Sequence, residues 1–144
     1  TTAAVKHYIS NGLVEGRSPD SFDEFSYIAS HADLITAFGL DGEAATQHFV
    51  TNGYKEARIQ DNFNELGYLA SNTDLIAAFG LDTSSAIQHY ISFGKSEGRR
   101  TDSFNTFQYI ENYADLQTAI GYDPRSAMTH YISNGFAEGR SDLA

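Results

Sequence analysis

Cysteine and tryptophan are both missing from this 144-residue chain, and its nine lysines and arginines are outnumbered by nineteen aspartates and glutamates. Without cysteine there are neither disulfides nor thiolate metal sites, and the compartment stays open, because a secreted protein without disulfides and a cytosolic one look alike on this count. Without tryptophan the usual stacking platform for sugars is absent. The scarcity of cations and a net charge of -10 exclude the clustered Lys and Arg that nucleic acids and anionic membranes require. No apolar run approaches a membrane span, so no membrane insertion is expected, and no charged start leads into an apolar stretch. At 41% hydrophobic residues the chain can still bury a core of one domain's size.

What the chain has in abundance is itself. His7, His48, His89 and His130 each open a near-copy of one segment, 41 residues apart, the mark of a tandem array whose units bury their apolar faces on their neighbours. Units 7–47, 48–88 and 89–129 share thirteen of 41 positions: His7, Gly12, Glu15, Arg17, Asp20, Phe22, Tyr27, Asp33, Leu34, Ala37, Gly39, Asp41 and Ala45 in the first copy. Residues 1–6 match the end of a unit and 130–144 the start of another. The whole reads as a single repeat domain that begins and ends mid-unit, an excerpt of a longer array or one whose ends are the same half-unit.

Helix punctuation recurs inside each unit. Asp23, Asn64 and Asn105 are N-caps, each between an aromatic (Phe22, Phe63, Phe104) and a tyrosine at the fourth helical position (Tyr27, Tyr68, Tyr109), the spacing of a hydrophobic staple. A second start is predicted from capping boxes, Ser30 with Asp33 and Ser71 with Asp74, with Asn112 and Asp115 in the third copy. Leu34, Ala37 and Phe38 then form an apolar face, and Gly39, Gly80 and Gly121 end the helix in a left-handed conformation. A third helix starts at Asp41, Asp82 and Asp123, the last followed by Pro124 at the first helical position. It runs through Ala45, His48 and Phe49 and stops at Gly53, with Gly12, Gly94 and Gly135 equivalent. Leu13, Tyr54, Lys95 and Phe136 each lie five beyond an aromatic, as a Schellman motif would place its apolar contact, and all but Lys95 are apolar enough to make it. A Gly-x-x-Glu-Gly-Arg turn closes the unit. No alternating strand pattern survives beyond four residues, so the fold is expected to be all-α, three short helices and a turn per unit, with single units poorly stable and unfolding cooperative.

The string Tyr27 to Gly39, followed by His48-Phe49 and Gly53 to Arg58, resembles a roughly 40-residue helical tandem repeat of large bacterial proteins, with the pattern Tyr-Leu-Ala-x-x-x-Asp-Leu/Val, His-Tyr and Gly-x-x-Glu-Gly-Arg. The likeness covers essentially the whole chain. It departs at Ala57, where the closing turn has Gly, at Glu111 and Asn112 in place of Ala-Ser, and at Ile120 in place of Phe. That repeat accompanies secreted or surface proteins, including those with calcium-binding nonapeptide repeats, and is also found beside glycosyltransferases. The resemblance therefore implies an extracellular or cell-surface location and carries no single activity to any residue.

The shared polar residues read as structure. One histidine per unit makes a ladder, whereas a metal site needs three or four converging ligands. His7, His48, His89 and His130 are expected to pack beside the next aromatic and bond a backbone carbonyl or carboxylate, and His31 to lie on the surface. Glu15/Arg17, Glu56/Arg58, Glu97/Arg99 and Glu138/Arg140 are expected to clamp one unit onto the next, the arginine pairing with Asp20 or its copies or with helix-end carbonyls. No calcium loop, catalytic motif or cofactor fingerprint occurs, and Asp23-Glu24 is dipole-complementing charge at a helix start, so neither enzyme activity nor a cofactor is expected. Two functional readings remain. The first is a structural or assembly module, of the kind that builds filaments or adhesins, whose partners are itself or neighbouring repeats. The second is a polysaccharide-binding module using the aromatics that vary between units, Tyr54, Phe93, Tyr113, Tyr122 and Phe136; an accessory domain of a glycan-active enzyme is a remote third.

Overall fold

Six- and seven-residue helices are not stable alone, so caps and packing between helices must hold them. The computed structural model describes residues 22–144, with Ala3 ahead of them. His7, Gly12, Leu13, Glu15, Arg17 and Asp20 lie outside the described residues. Three modules follow one another, opening at Phe22, Phe63 and Phe104. Their first helices are α1 (Glu24–Ala29), α4 (Glu65–Ala70) and α7 (Thr106–Asn112). Each starts as expected: Asp23, Asn64 and Asn105 accept from the backbone N–H of Ser26, Gly67 and Gln108. The staple is present as well, with the Phe22–Tyr27, Phe63–Tyr68 and Phe104–Tyr109 ring centroids 5.3, 5.7 and 5.3 Å apart.

The second helices are α2 (Ala32–Phe38), α5 (Thr73–Phe79) and α8 (Ala114–Ile120). Here the expected capping boxes are not formed. His31, Asn72 and Tyr113 occupy the N-cap positions without a side-chain cap bond, while Asp33, Asp74 and Asp115 turn outward to arginines. With the N-cap one residue later than expected, these aspartates stand at the second helical position and not the third, from which a box is made, and the guanidinium takes them instead. Gly39, Gly80 and Gly121 do end these helices, at φ 54°, 55° and 59°. The third helices α3 (Gly42–His48), α6 (Thr83–His89) and α9 (Pro124–His130) start on Asp41, Asp82 and Asp123, whose carboxylates accept from the N–H three residues on.

Each third helix continues without a break into a wide π-helical turn: π1 (Phe49–Gly53), π2 (Tyr90–Gly94) and π3 (Tyr131–Gly135). The signature is the bond from Tyr54 N–H to the Phe49 carbonyl, 2.9 Å, with Lys95 to Tyr90 and Phe136 to Tyr131 alike. The Schellman motif lies four residues later than the sequence suggested. Its left-handed residue is Ala57, Gly98 or Gly139, at φ 53°, 66° and 72°. Its diagnostic pair of bonds, Arg58 N–H to the Gly53 carbonyl and Ala57 N–H to the Tyr54 carbonyl, closes the turn. The apolar contact survives the shift, with Phe49–Tyr54 and Tyr131–Phe136 centroids 6.4 and 6.2 Å apart. Ala57 is the one non-glycine described residue at positive φ, and a Cβ there costs about 1 kcal/mol. Ala57→Gly is therefore expected to raise stability by about 0.5–1 kcal/mol, read as a higher urea midpoint.

Within a module the first helix lies on the second and third; between modules, α1 lies on α6 and π2, and α4 on α9 and π3. Tyr27, Tyr68, Tyr109, Ile28, Leu69 and Ile110 fill the centre of one continuous core. The fold is all-α, with no strand among the described residues and no helix among them long and apolar enough to cross a membrane. Cutting the repeat at the histidines, as the sequence invites, divides each third helix from the turn it enters; the structural module runs from one capping aromatic to the next.

Candidate functional site

Each module binds its histidine to its own central tyrosine. The phenol oxygens of Tyr27, Tyr68 and Tyr109 lie 3.0, 2.9 and 2.9 Å from Nδ1 of His48, His89 and His130, which follow them by 21 residues. The expected carbonyl or carboxylate partner is thus replaced by a phenol, because the first and third helices of one module pack side by side with these two residues facing. Which of the two donates is set by the ring tautomer: the phenol donates where Nδ1 is bare, and Nδ1–H donates where the proton sits there. The tyrosine was the member missed in the sequence, although its invariance and fixed distance from the histidine were a legible signal. Burial pushes the phenols of Tyr68 and Tyr109 up to about 12 and raises that of Tyr27.

That shift has a sign. Phenols that ionise near 10.0 in an unfolded chain and near 12 in the fold contribute stability that is whole below pH 10 and disappears as pH rises towards 12. In an ultraviolet titration of phenolate, Tyr68 and Tyr109 are expected to ionise only as the fold is lost. A single ordinary phenolic titration with the helical signal intact would contradict this.

The Glu-x-Arg turn is a second recurring constellation. Arg58 Nη1 lies 2.8 Å from Asp33 Oδ2, and its Nε lies 2.6 Å from Glu56 Oε2; Arg99 with Asp74 and Glu97, and Arg140 with Asp115 and Glu138, repeat the arrangement. The partner is the aspartate 25 residues earlier, at the start of the second helix, and Asp61 and Asp102, the described copies of Asp20, stay exposed with no arginine bonded to them among the described residues. The clamp joins Arg58 of unit 48–88 to Asp33 of unit 7–47, one histidine-cut unit to the next as expected, and with the repeat cut at the capping aromatics the same bond ties the closing turn to its own module. Asp33 is held below its ordinary value although burial pulls the other way, because Arg58 bonds it; Asp74 and Asp115 are lowered first of all by their bonds to Arg99 and Arg140.

Beside each clamp the linker to the next module is fastened by residues that differ in type and agree in task. His31 Nε2 lies 2.8 Å from the Ile59 carbonyl, Asn72 donates to the Arg100 carbonyl at 2.8 Å, and the Tyr113 hydroxyl accepts from Ser141 N–H at 2.9 Å. One residue earlier, Ser30 and Ser71 accept from the N–H of Asn62 and Ser103, and Asn112 donates to the carbonyls of Ser141 and Leu143. Tyr113 is accordingly no ligand-facing aromatic: it is half-buried, with the Arg140 guanidinium 4.7 Å from its ring centroid.

Tyr54, Phe93, Tyr122 and Phe136 are exposed as a ligand-facing set would be, yet they are spread over the three modules, only Tyr122 and Phe136 sharing one. Phe93 lies 5.7 Å from the His89 ring. Tyr122 stacks on Phe107 at 6.5 Å with 28° between the planes, a pairing that the sequence did not suggest because the copies of Phe107 are Phe25 and Leu66, both packed in the core. Among the described residues, no group of three or more His, Asp or Glu side chains converges as a metal site would require. Comparison with known proteins adds nothing to these observations: no family model, no curated protein and no solved structure matches the chain.

Proposed function

We propose that the chain is a non-enzymatic structural module, an extensible stack of helices through which a larger bacterial extracellular or cell-surface assembly is built. The observation that carries this reading is the contact between modules, made twice in the same way, α1 on α6 and π2 and then α4 on α9 and π3. A contact that recurs without change is the means by which solenoid proteins grow by addition of units. The histidines, arginines and aspartates that the units share bond inside their own modules, which supports a scaffold role for them. The surface location follows from the likeness to the bacterial repeat.

Sedimentation equilibrium over a wide concentration range tests the assembly reading. Mass is expected to rise above 15.8 kDa with concentration, and a strictly monomeric chain at the highest attainable concentration would count against it. The second reading, polysaccharide binding, is favoured by one observation, the near-parallel exposed rings of Phe107 and Tyr122. A glycan array with Tyr122→Ala and Tyr54→Ala as controls decides it: binding lost in Tyr122→Ala would support it, and no binding to bacterial or algal polysaccharides would remove it.

A further inference from the structure

The junction of the first two modules holds a groove of about 270 Å³ whose walls come from both of them. Leu40 of the first module forms one side, and Phe79 and Phe93 of the second form the other. The equivalent place at the next junction has two described modules ahead of it and none after it, yet it is equally open. There Leu81 is 45% exposed against 44% for Leu40, and Ser133 and Asn134 are exposed as Ser92 and Phe93 are. A further module before or after therefore does not cover this position, and the groove is a property of the junction itself.

Its chemistry is set by His89. Nδ1 is engaged by the buried Tyr68 phenol at 2.9 Å, no described residue bonds Nε2, and no buried ring nitrogen among the described residues is left without a partner. Nε2 thus opens to the groove that His89 lines. Phe93 is 57% exposed, its ring 5.7 Å from the imidazole, and Phe79 stands edge-on to the imidazole at 5.7 Å. Gln88 and Ser92, both exposed, bring an amide and a hydroxyl to the rim. In a chain with 19 acidic residues, no Asp, Glu, Lys or Arg lines the groove. An ionic ligand would lose its water here and meet no opposite charge. A hydroxyl both donates and accepts, so it satisfies Nε2 in either ring tautomer. The lining therefore suits an uncharged ligand with an apolar face and several hydroxyls, and a volume just below the roughly 300–1,000 Å³ of sites for drug-sized ligands suits a single ring.

We propose that this groove binds one neutral pyranose residue of a polysaccharide, its C–H face on Phe93 and a hydroxyl on His89 Nε2. This rests on the polysaccharide reading and gives it a place away from Phe107 and Tyr122. Of the two described junctions only this one has the aromatic walls: at the next, Ile120 and Asn134 stand where Phe79 and Phe93 do, so His130 has no ring beside it on which a sugar can lie.

The test is an NMR titration of the full chain with the methyl glycosides of glucose, galactose and mannose, and with galacturonate as the charged control. At least one neutral glycoside is expected to shift the His89 and Phe93 ring signals saturably while leaving His130 unmoved, and galacturonate to bind about tenfold more weakly or not at all. Phe93→Ala, at an exposed position, is expected to lower the affinity about tenfold with the melting temperature unchanged. If none of the three glycosides moves His89, or if binding is undiminished in Phe93→Ala, the site is overturned. Shifts confined to Phe107 and Tyr122 would overturn it while leaving the polysaccharide reading in place, and no shift at either place together with an empty glycan array would overturn both.

Discussion

Gly94→Ala is expected to destabilise the array by about 3 kcal/mol, from overpacking together with a lost hydrogen bond. A Cβ at Gly94 would overlap the Tyr68 phenol oxygen and lie 3.0 Å from Tyr68 Cζ and 3.2 Å from Tyr90 Cδ2. Tyr68 has nowhere to retreat: it is fully buried, with the rings of Phe63 and Tyr90 centred 5.7 and 5.3 Å from its own. Moving it breaks the 2.9 Å bond to His89. The conformation of Gly94 is ordinary; the glycine is required by the close approach of the tyrosine. That distinction is measurable by urea unfolding. Adding Tyr68→Phe removes the oxygen that clashes, so the double variant is expected to be more stable than the sum of the two single losses predicts. Strict additivity, or a midpoint equal to wild type, would refute the account.

The second large effect separates two residues at the same place in the repeat. Ile91→Ala is expected to cost about 2–4 kcal/mol, because the cavity it leaves between α1 and π2 is lined by packed side chains. Val50→Ala, at the equivalent but exposed position, is expected to change stability by less than about 0.5 kcal/mol. Since the modules share one core, the Ile91→Ala loss is expected to appear in a single transition of the whole helical signal, observed by circular dichroism in urea. Separate transitions, or equal costs at the two positions, would contradict the stacking of the first helix on the third helix of the next module.

Local chemistry was legible in the sequence wherever the governing interaction spans only a few residues. The caps at Asp23, Asn64 and Asn105 and at Asp41, Asp82 and Asp123, the staples, and the positive φ of Gly39, Gly80 and Gly121 are all of this kind. The readings that needed correction involve competition with a distant group. Asp33 had a plausible use three residues away and was drawn to Arg58, 25 residues on. Gly53 was a plausible helix terminator, but the helix widens into a π turn beneath Tyr27, and Ala57 takes the left-handed position. Tyr113 varies between copies as a ligand-binding residue would, yet it fastens a linker with its hydroxyl, as His31 and Asn72 do with other atoms. Comparison of the copies detects shared residue types, and a shared task performed by different side chains is invisible to it.

The amino-acid sequence by itself determined the all-α class, the 41-residue period, the starts of the first and third helices and the identity of the polar residues that every module needs, because propensity, capping and turn chemistry act over one or two helical turns. Only the tertiary structure decided which tyrosine holds which histidine, which aspartate receives each arginine, and which copy of an equivalent side chain is covered. Those outcomes depend on neighbours brought together from 21 or 25 residues away and from adjacent modules. Val50 and Ile91 hold the same place in the repeat, and among the described residues a helix of the preceding module lies on the turn that carries Ile91 and none on the turn that carries Val50, which is how one is core and the other surface.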